Sequence, residues 1–295
     1  MRNDPCRRAT FGMTIENSTT RLWFCCRSSV IVSKAFDFIA VRVPLQKKDC
    51  LFNLLKSYQE PGAFIEVFAT FAFADRKSLG FDPTIERAPR HKPHFIITVH
   101  PNDNKANPKR YRTTKILSSY GAEPLRGRGT RVFEAVEMDE NGADKGSAVV
   151  LKDIWIDQDR TREGDILAQL HAQASAEDKK LVEKYFLTTI CHGDVWTEPE
   201  LLDDTENALM RGLKIPADDR FQLQRKQLVL EKHEAGTGSG GLRATSRLHA
   251  PHPDRKYSHK THYRIVFKEK GATVDLIPTL PDVMTTLSET ATGTF

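Results

Sequence analysis

An α+β fold, in which an antiparallel sheet carries one packed helix and follows a mainly helical N-terminal extension, is what this sequence predicts, and three observations predict it. Short β-branched runs, Phe95-Ile96-Ile97-Thr98-Val99 and Tyr263-Arg264-Ile265-Val266-Phe267, are strand signals. Apolar residues at i, i+3, i+4 and i+7, as at Leu51, Leu54, Leu55 and Tyr58, are a helix signal. Between Val132 and Lys152 two apolar runs flank the polar turn Asp139-Glu140-Asn141-Gly142, which is the pattern of a hairpin.

The first 34 residues are polar and irregular apart from Leu22-Trp23-Phe24-Cys25-Cys26, and they read either as a frayed terminus or as a short buried strand. The helix over Leu51 to Tyr58 is broken at Pro61-Gly62. Ile65, Phe68, Phe71 and Phe73 predict a second apolar helix ending near Gly80, and its aromatic residues are read as core. Phe81-Asp82-Pro83-Thr84 is a turn, and strands are expected over 95–99 and 111–118. Helices are expected from Glu163 through Leu170 and over 176–185, and a strand over 186–191 comes after them. Residues 197–258 break the pattern. They combine an acidic stretch, a helix over Phe221 to Lys232 and the run Gly236-Thr237-Gly238-Ser239-Gly240-Gly241, and are read as a partly disordered insertion. A strand over 263–267 and a helix opened by Pro281 and Asp282 close the chain.

Composition narrows the function classes. The chain has 295 residues, 28% of them charged and 39% hydrophobic, with a formal net charge of +5, values of a globular protein and too mild a charge to argue for nucleic acid alone. Five cysteines without a C-x-x-C argue against a disulfide framework and for a reducing compartment. No apolar run reaches the length of a membrane span, and no apolar stretch of a secretory signal follows Arg2, Arg7 and Arg8. An intracellular protein, cytoplasmic or nuclear, is the expectation. From Arg87 to Arg131 basic residues outnumber acidic ones, and a solvated basic face is favoured over one that tracks nucleic-acid phosphates.

The chemistry-bearing stretch runs from Arg126 to Glu163. Glycine lets a backbone approach phosphates and offer its N–H groups, and Gly127 and Gly129 supply a G-x-G, with Val132 where a third glycine would complete G-x-G-x-x-G. A lysine that meets the α- and β-phosphates has to project from a rigid strand, and Lys152 ends the run Val149-Val150-Leu151. That lysine needs a carboxylate from a helix to hold it extended, for which Glu163 is the candidate and Asp165 the fallback. Gly164 weakens that helix by about 1 kcal/mol.

Loop, strand, turn, strand with lysine, helix with glutamate, strand and strand is the order of a protein-kinase N-lobe. The sequence resembles the fungal-type protein kinase family in Phe81-Asp82-Pro83-Thr84, Arg126 to Val132, Val150-Leu151-Lys152-Asp153, Arg162-Glu163-Gly164-Asp165-Ile166-Leu167 and His262 to Glu269, over roughly residues 50–290. The resemblance implies an N-lobe over 121–295, preceded by a mainly helical extension over 35–120 and an irregular 1–34. It implies ATP, with Mg, as cofactor and phosphoryl transfer to protein Ser or Thr as the family's reaction. Gly127, Gly129 and Val132 would line the phosphates, Lys152 would contact them, Glu163 would hold Lys152, and Phe267, Lys268, Glu269 and Lys270 would form the hinge beside adenine.

Kinase catalysis also needs H-R-D-x-x-x-x-N and D-F-G after the hinge, to accept the hydroxyl proton and hold the metal. Neither follows Glu269, and His192-Gly193-Asp194 precedes the hinge and is read as a strand end. The expectation is therefore an N-lobe truncated before the catalytic loop, inactive alone, with no catalytic residue and no metal ligand of its own. The competing reading is a non-catalytic protein that binds nucleotide or a protein partner. Two H-x-x-H pairs, His249/His252 and His259/His262, have the spacing of zinc ligands, against which solvated loop histidines are the favoured reading.

Overall fold

The computed structural model describes residues 4–17, 19–37, 61–88, 94–102, 107–119, 126–213, 259–271 and 277–292. Its elements in chain order are β1 (Ala9–Glu16), β2 (Thr19–Cys26), β3 (Val30–Val32), β4 (Phe36–Asp37), α1 (Pro61–Phe73), β5 (Ile85–Arg87), β6 (Phe95–Val99), β7 (Lys109–Ser118), β8 (Arg131–Met138) and β9 (Asp144–Asp157). There follow α2 (Glu163–Gln173), α3 (Ala176–Tyr185), β10 (Thr189–Asp194), β11 (Trp196–Glu198), β12 (Leu201–Leu202), a π-helical turn (Thr205–Leu209), β13 (Lys260–Phe267) and α4 (Leu280–Thr292).

Seven strands form one sheet in the order β10-β13-β9-β8-β7-β6-β5, with every neighbouring pair antiparallel. The expected hairpin is β8–β9, with Glu137 opposite Lys145 and Met138 opposite Asp144. Alternation along the strands gives the sheet two faces. One face encloses a core of Ile97, Val99, Tyr111, Phe133, Leu151 and Val266. The sheet curls round that core, since Cys191 of β10 joins it and its Sγ lies 3.3 Å from the Tyr111 hydroxyl of β7. The other face carries Val132, Val150, Ile154, Tyr263, Ile265 and Phe267 and packs against Leu167 of α2. The candidate site lies on this second face.

Two sequence expectations are corrected. Residues 1–34 are not irregular: β1 and β2 pair along eight residues each, and β3 and β4 complete a small sheet. The polar composition that suggested a frayed end belongs to strands with one solvated face, and the buried one is carried by Ala9, Leu22, Phe24 and Cys26. Pro61-Gly62 opens α1, the second expected helix, because proline's fixed φ and missing N–H suit a first turn. Among the described residues, 35–120 is not mainly helical. It holds one helix and the four strands β4, β5, β6 and β7, and β7 pairs with β8 across the expected boundary at 120. The expected helices over 51–58 and 221–232 and the glycine run at 236–241 lie outside the described residues.

Candidate nucleotide site

Lys152 stands in the middle of β9, between Val132 of β8 and Ile265 of β13 in the register of the sheet. Its neighbours Leu151 and Asp153 point to the opposite face, so Lys152 projects toward α2. There its Nζ lies 2.6 Å from Oε2 of Glu163, the first residue of α2. The ammonium is 24% exposed and the carboxylate 43%, so the pair is reachable from solvent.

Three contacts set the start of α2. Arg162 donates from Nε and a terminal nitrogen to both carboxylate oxygens of Asp194 on β10, each at 2.9 Å. The Gly164 N–H donates to the Tyr263 hydroxyl at 2.9 Å. A Cβ at Gly164 would enter the His192 imidazole, so glycine is required where the helix meets β10. Sequence reasoning passed over Arg162, Asp194 and Tyr263 although each lies inside a segment it had singled out. His192-Gly193-Asp194 does end β10, and its use is to receive the Arg162-Glu163-Gly164 turn.

The glycine loop is bound to the chain itself. The Gly127 N–H donates to the Arg27 carbonyl at 2.8 Å, Arg126 Nε donates to the Ser28 carbonyl at 3.0 Å, and Trp155 N–H donates to the Arg128 carbonyl at 2.7 Å. Gly129 has φ +57°, and a Cβ there would meet the Arg27 guanidinium. The loop thus sits between the turn after β2 and strand β9, and one of its two glycine N–H groups is already used. Val132 faces the site side of the sheet.

The expected hinge follows β13. Phe267 is buried among the apolar residues of the site face. Lys268 N–H bonds the Thr188 carbonyl, and Glu269 accepts from the Thr188 N–H at 2.7 Å; burial opposes its ionisation, and the hydrogen bonds from Thr188 with the Lys268 charge together outweigh it and draw its pKa down. Lys270 pairs with Glu134 of β8. The structure therefore brings Val132, Lys152, Glu163 and Phe267 to one face, ties Lys268 and Glu269 to the residue before β10, and sets Gly127 and Gly129 at the loop leading into β8.

These residues fit a nucleotide in part. An apolar wall of Val132, Val150 and Phe267 suits a base, and a solvent-reachable lysine held by a carboxylate suits phosphates. They do not fit a magnesium ion: on this face Glu163 and Glu134 are each paired with a lysine, and Asp194 is paired with Arg162.

On the opposite face the segments that carry the family resemblance meet. Asp153 accepts from His262 at 2.7 Å and from Arg264 at 2.8 Å. Asp82 accepts from Arg264 at 2.9 Å, and Asp203 accepts from His262 at 2.8 Å and from Arg8 at 2.6 Å. Trp155 stacks on the His262 ring with centroids 4.5 Å apart. All six ionisable groups are buried. Burial disfavours charge on His262, but the Asp153 charge and the bonds to Asp153 and Asp203 outweigh it and push the pKa up to about 9. Burial likewise opposes ionisation of Asp153 and Asp203, and the His262, Arg264 and Arg8 charges overcome it and hold both carboxyls below the usual range. Ligand atoms of Asp82, Asp203 and His262 converge as they would round a cation, but Arg264 and Arg8 already supply positive charge there. Of the two H-x-x-H pairs, favoured as solvated loop histidines, His262 is instead buried in this network, His259 lies 3.7 Å from Glu206, and His249 and His252 lie outside the described residues.

In the basic block from Arg87 to Arg131, three of the described residues form ion pairs. Arg87 meets Asp4 at 2.8 Å, Arg110 meets Glu86 at 3.4 Å, Arg112 meets Asp144, and Arg131 is buried. Arg90, Lys92 and Lys105 lie outside the described residues. The described cysteines, Cys6, Cys25, Cys26 and Cys191, are free thiols. Among the described residues no helix is long and apolar enough to cross a membrane.

A mixed α+β chain whose curled antiparallel sheet holds a strand lysine against a helix glutamate belongs with the kinase-like proteins. The sequence model described as fungal protein kinase matches residues 1–293, nearly the whole chain, and the chain belongs to that family. The match extends over the N-terminal residues that the expected span of roughly 50–290 left out. No curated protein and no solved structure matches the chain.

Proposed function

We propose that this chain carries the nucleotide-binding half of a protein kinase, with ATP on the face formed by β8, β9 and β13. Lys152 contacts the phosphates, Glu163 holds Lys152, Val132 and Phe267 flank the base, and the backbone from Phe267 to Lys270 is the hinge. The observation that carries this reading is the 2.6 Å pair between Lys152 and Glu163. Strand order supports it too. Counted from β7, the lysine stands on the third strand, and the helix that holds it follows directly.

Within this reading the chain's own residues bind and orient. The Lys152 ammonium neutralises phosphate charge, and the Glu163 carboxylate keeps that ammonium from collapsing onto the sheet. ATP supplies the transferable phosphoryl group. The 295 residues contain no H-R-D-x-x-x-x-N and no D-F-G after Glu269, so no residue here accepts the proton of a Ser or Thr hydroxyl. This polypeptide is therefore expected to bind nucleotide without transferring phosphate.

The test is thermal unfolding with millimolar Mg-ATP. A rise in the midpoint that disappears in Lys152→Ala supports the site, since only binding to the native state raises it. Mg-dependent phosphotransfer lost in Lys152→Ala would overturn the inactive reading. One observation favours a second reading, a non-catalytic protein that binds a partner. The Gly127 N–H is spent on the Arg27 carbonyl, and Gly129 makes room for Arg27. No thermal shift at millimolar nucleotide would favour it.

A further inference from the structure

We propose that Tyr263 and the Arg162–Asp194 fork are positioning residues that aim Glu163 at Lys152. The proposal deepens the nucleotide-site reading and rests on Lys152 as its central residue.

Helix α2 begins without a cap of its own. The residue before it is Arg162, whose backbone is extended and whose side chain accepts no hydrogen bond from the helix. A helix start leaves its first N–H groups without intrahelical partners, and an oxygen-bearing side chain just before the helix ordinarily takes one of them. Arginine has no acceptor. Here the acceptor comes from β13, where the Tyr263 hydroxyl takes the Gly164 N–H at 2.9 Å. The Arg162 side chain is turned instead to β10, where both Asp194 oxygens hold it at 2.9 Å. The two anchors lie on adjacent strands of one sheet, since β10 pairs with β13 and Asp194 stands opposite Tyr263.

Glu163 lies between the two anchored residues. With Arg162 and Gly164 both fixed to the sheet, the carboxylate between them has little freedom but to face β9, where Lys152 stands. The His192 ring against Gly164 closes the remaining side and sets how closely the helix approaches β10. Burial keeps the Tyr263 phenol protonated, with its pKa raised, so the oxygen acts as a neutral acceptor throughout the ordinary pH range.

Acetylation of the lysines under limiting reagent, read by peptide mass spectrometry, tests this without nucleotide, because a paired ammonium reacts slowly and a released one reacts faster. The variants are Tyr263→Phe, which keeps the ring and removes the oxygen, and Asp194→Asn, which keeps the shape and removes the charge. Glu163→Gln gives the rate of unpaired Lys152. Each positioning variant is expected to raise Lys152 labelling by about threefold, toward the Glu163→Gln rate, the scale of a partly exposed ion pair. Lys260, paired with Asp157 at 2.6 Å on the neighbouring edge, serves as the internal reference and stays unchanged. Combining Tyr263→Phe with Glu163→Gln is expected to add nothing to Glu163→Gln alone, which a general loosening of the protein would not reproduce.

Wild-type labelling of Lys152 in folded Tyr263→Phe and Asp194→Asn overturns the proposal, and so does full additivity in the double variant. Should Tyr263→Phe not fold, Asp194→Asn decides. If Lys152 labelling rises as expected while Mg-ATP produces no thermal shift in the wild type, the positioning stands and the nucleotide reading falls. If the shift is present while labelling is unmoved, the positioning falls and the nucleotide reading stands.

Discussion

Gly164 shows what a single residue decides here. Glycine in a helix costs about 1 kcal/mol relative to alanine, so propensity alone favours replacing it. The His192 ring occupies the place of the missing Cβ, so Gly164→Ala is expected instead to destabilise by about 1–3 kcal/mol, the usual cost of overpacking. Urea unfolding of the variant checks this, and a gain in stability would mean that the imidazole swings aside. Lys152 and Glu163 were legible in the sequence because a strand lysine followed by a helix glutamate is a local pattern. The roles of Gly129 and Gly164 were not, because the Arg27 and His192 side chains that demand glycine come from other elements. His262 was misjudged for the same reason. Its H-x-x-H spacing suggests a ligand or a loop, whereas Asp153 and Asp203 reach it from distant positions. With its folded pKa near 9 against an unfolded value of about 6.5, the charged form of His262 favours the native state. That contribution is complete below the unfolded value and is lost as pH rises through about 9. Unfolding measured from pH 6 to 10 should show this loss, and His262→Gln should flatten it.

At the scale of elements, alternation made the sheet readable. β6, β8, β9 and β13 alternate or run in β-branched stretches, and the sequence placed each within a few residues. β1 was missed, and β2 was read over Leu22–Cys26 only as one of two alternatives, because their buried sides are spread among threonines, arginines and cysteines, which a strand with one wet face tolerates. β9 carries the sharpest consequence of alternation. Lys152 faces the site and Asp153 faces the buried network, so neighbouring substitutions should behave oppositely. Lys152→Ala removes a partly exposed pair and is expected to change stability by no more than about 1 kcal/mol while abolishing the nucleotide response. Asp153→Ala leaves His262 and Arg264 buried without their shared carboxylate and is expected to cost about 3–5 kcal/mol. Parallel thermal and chemical unfolding of the two variants checks the contrast. Equal losses would mean that the two faces are not energetically separate.

For the whole molecule, the sequence suggested three successive regions, and the long-range contacts join them. β7 and β8 pair across the expected boundary at 120, and Cys6 lies in the same core as Leu151 and Val266. Arg8 donates to Asp203 at 2.6 Å and to the Phe81 carbonyl at 3.2 Å, while Asp203 in turn holds His262. Ala9, Phe24 and Cys26 of the small sheet pack on Trp155 of β9 and on Leu209 and Met210. No composition signal reveals such ties, because each joins residues that are unremarkable in their own neighbourhoods. They make the N-terminal sheet part of the support beneath β9, the strand that presents Lys152. Unfolding should therefore be a single transition in which near-ultraviolet dichroism, sensitive to Trp155, coincides with loss of strand signal. Arg8→Met should lower that one midpoint, because it leaves the Asp203 carboxylate buried with only His262 opposite it, an uncompensated charge worth about 3–5 kcal/mol. A separate, earlier transition of the N-terminal sheet, with the midpoint of the remainder unmoved by Arg8→Met, would show instead that residues 1–34 fold apart from the sheet that holds the site.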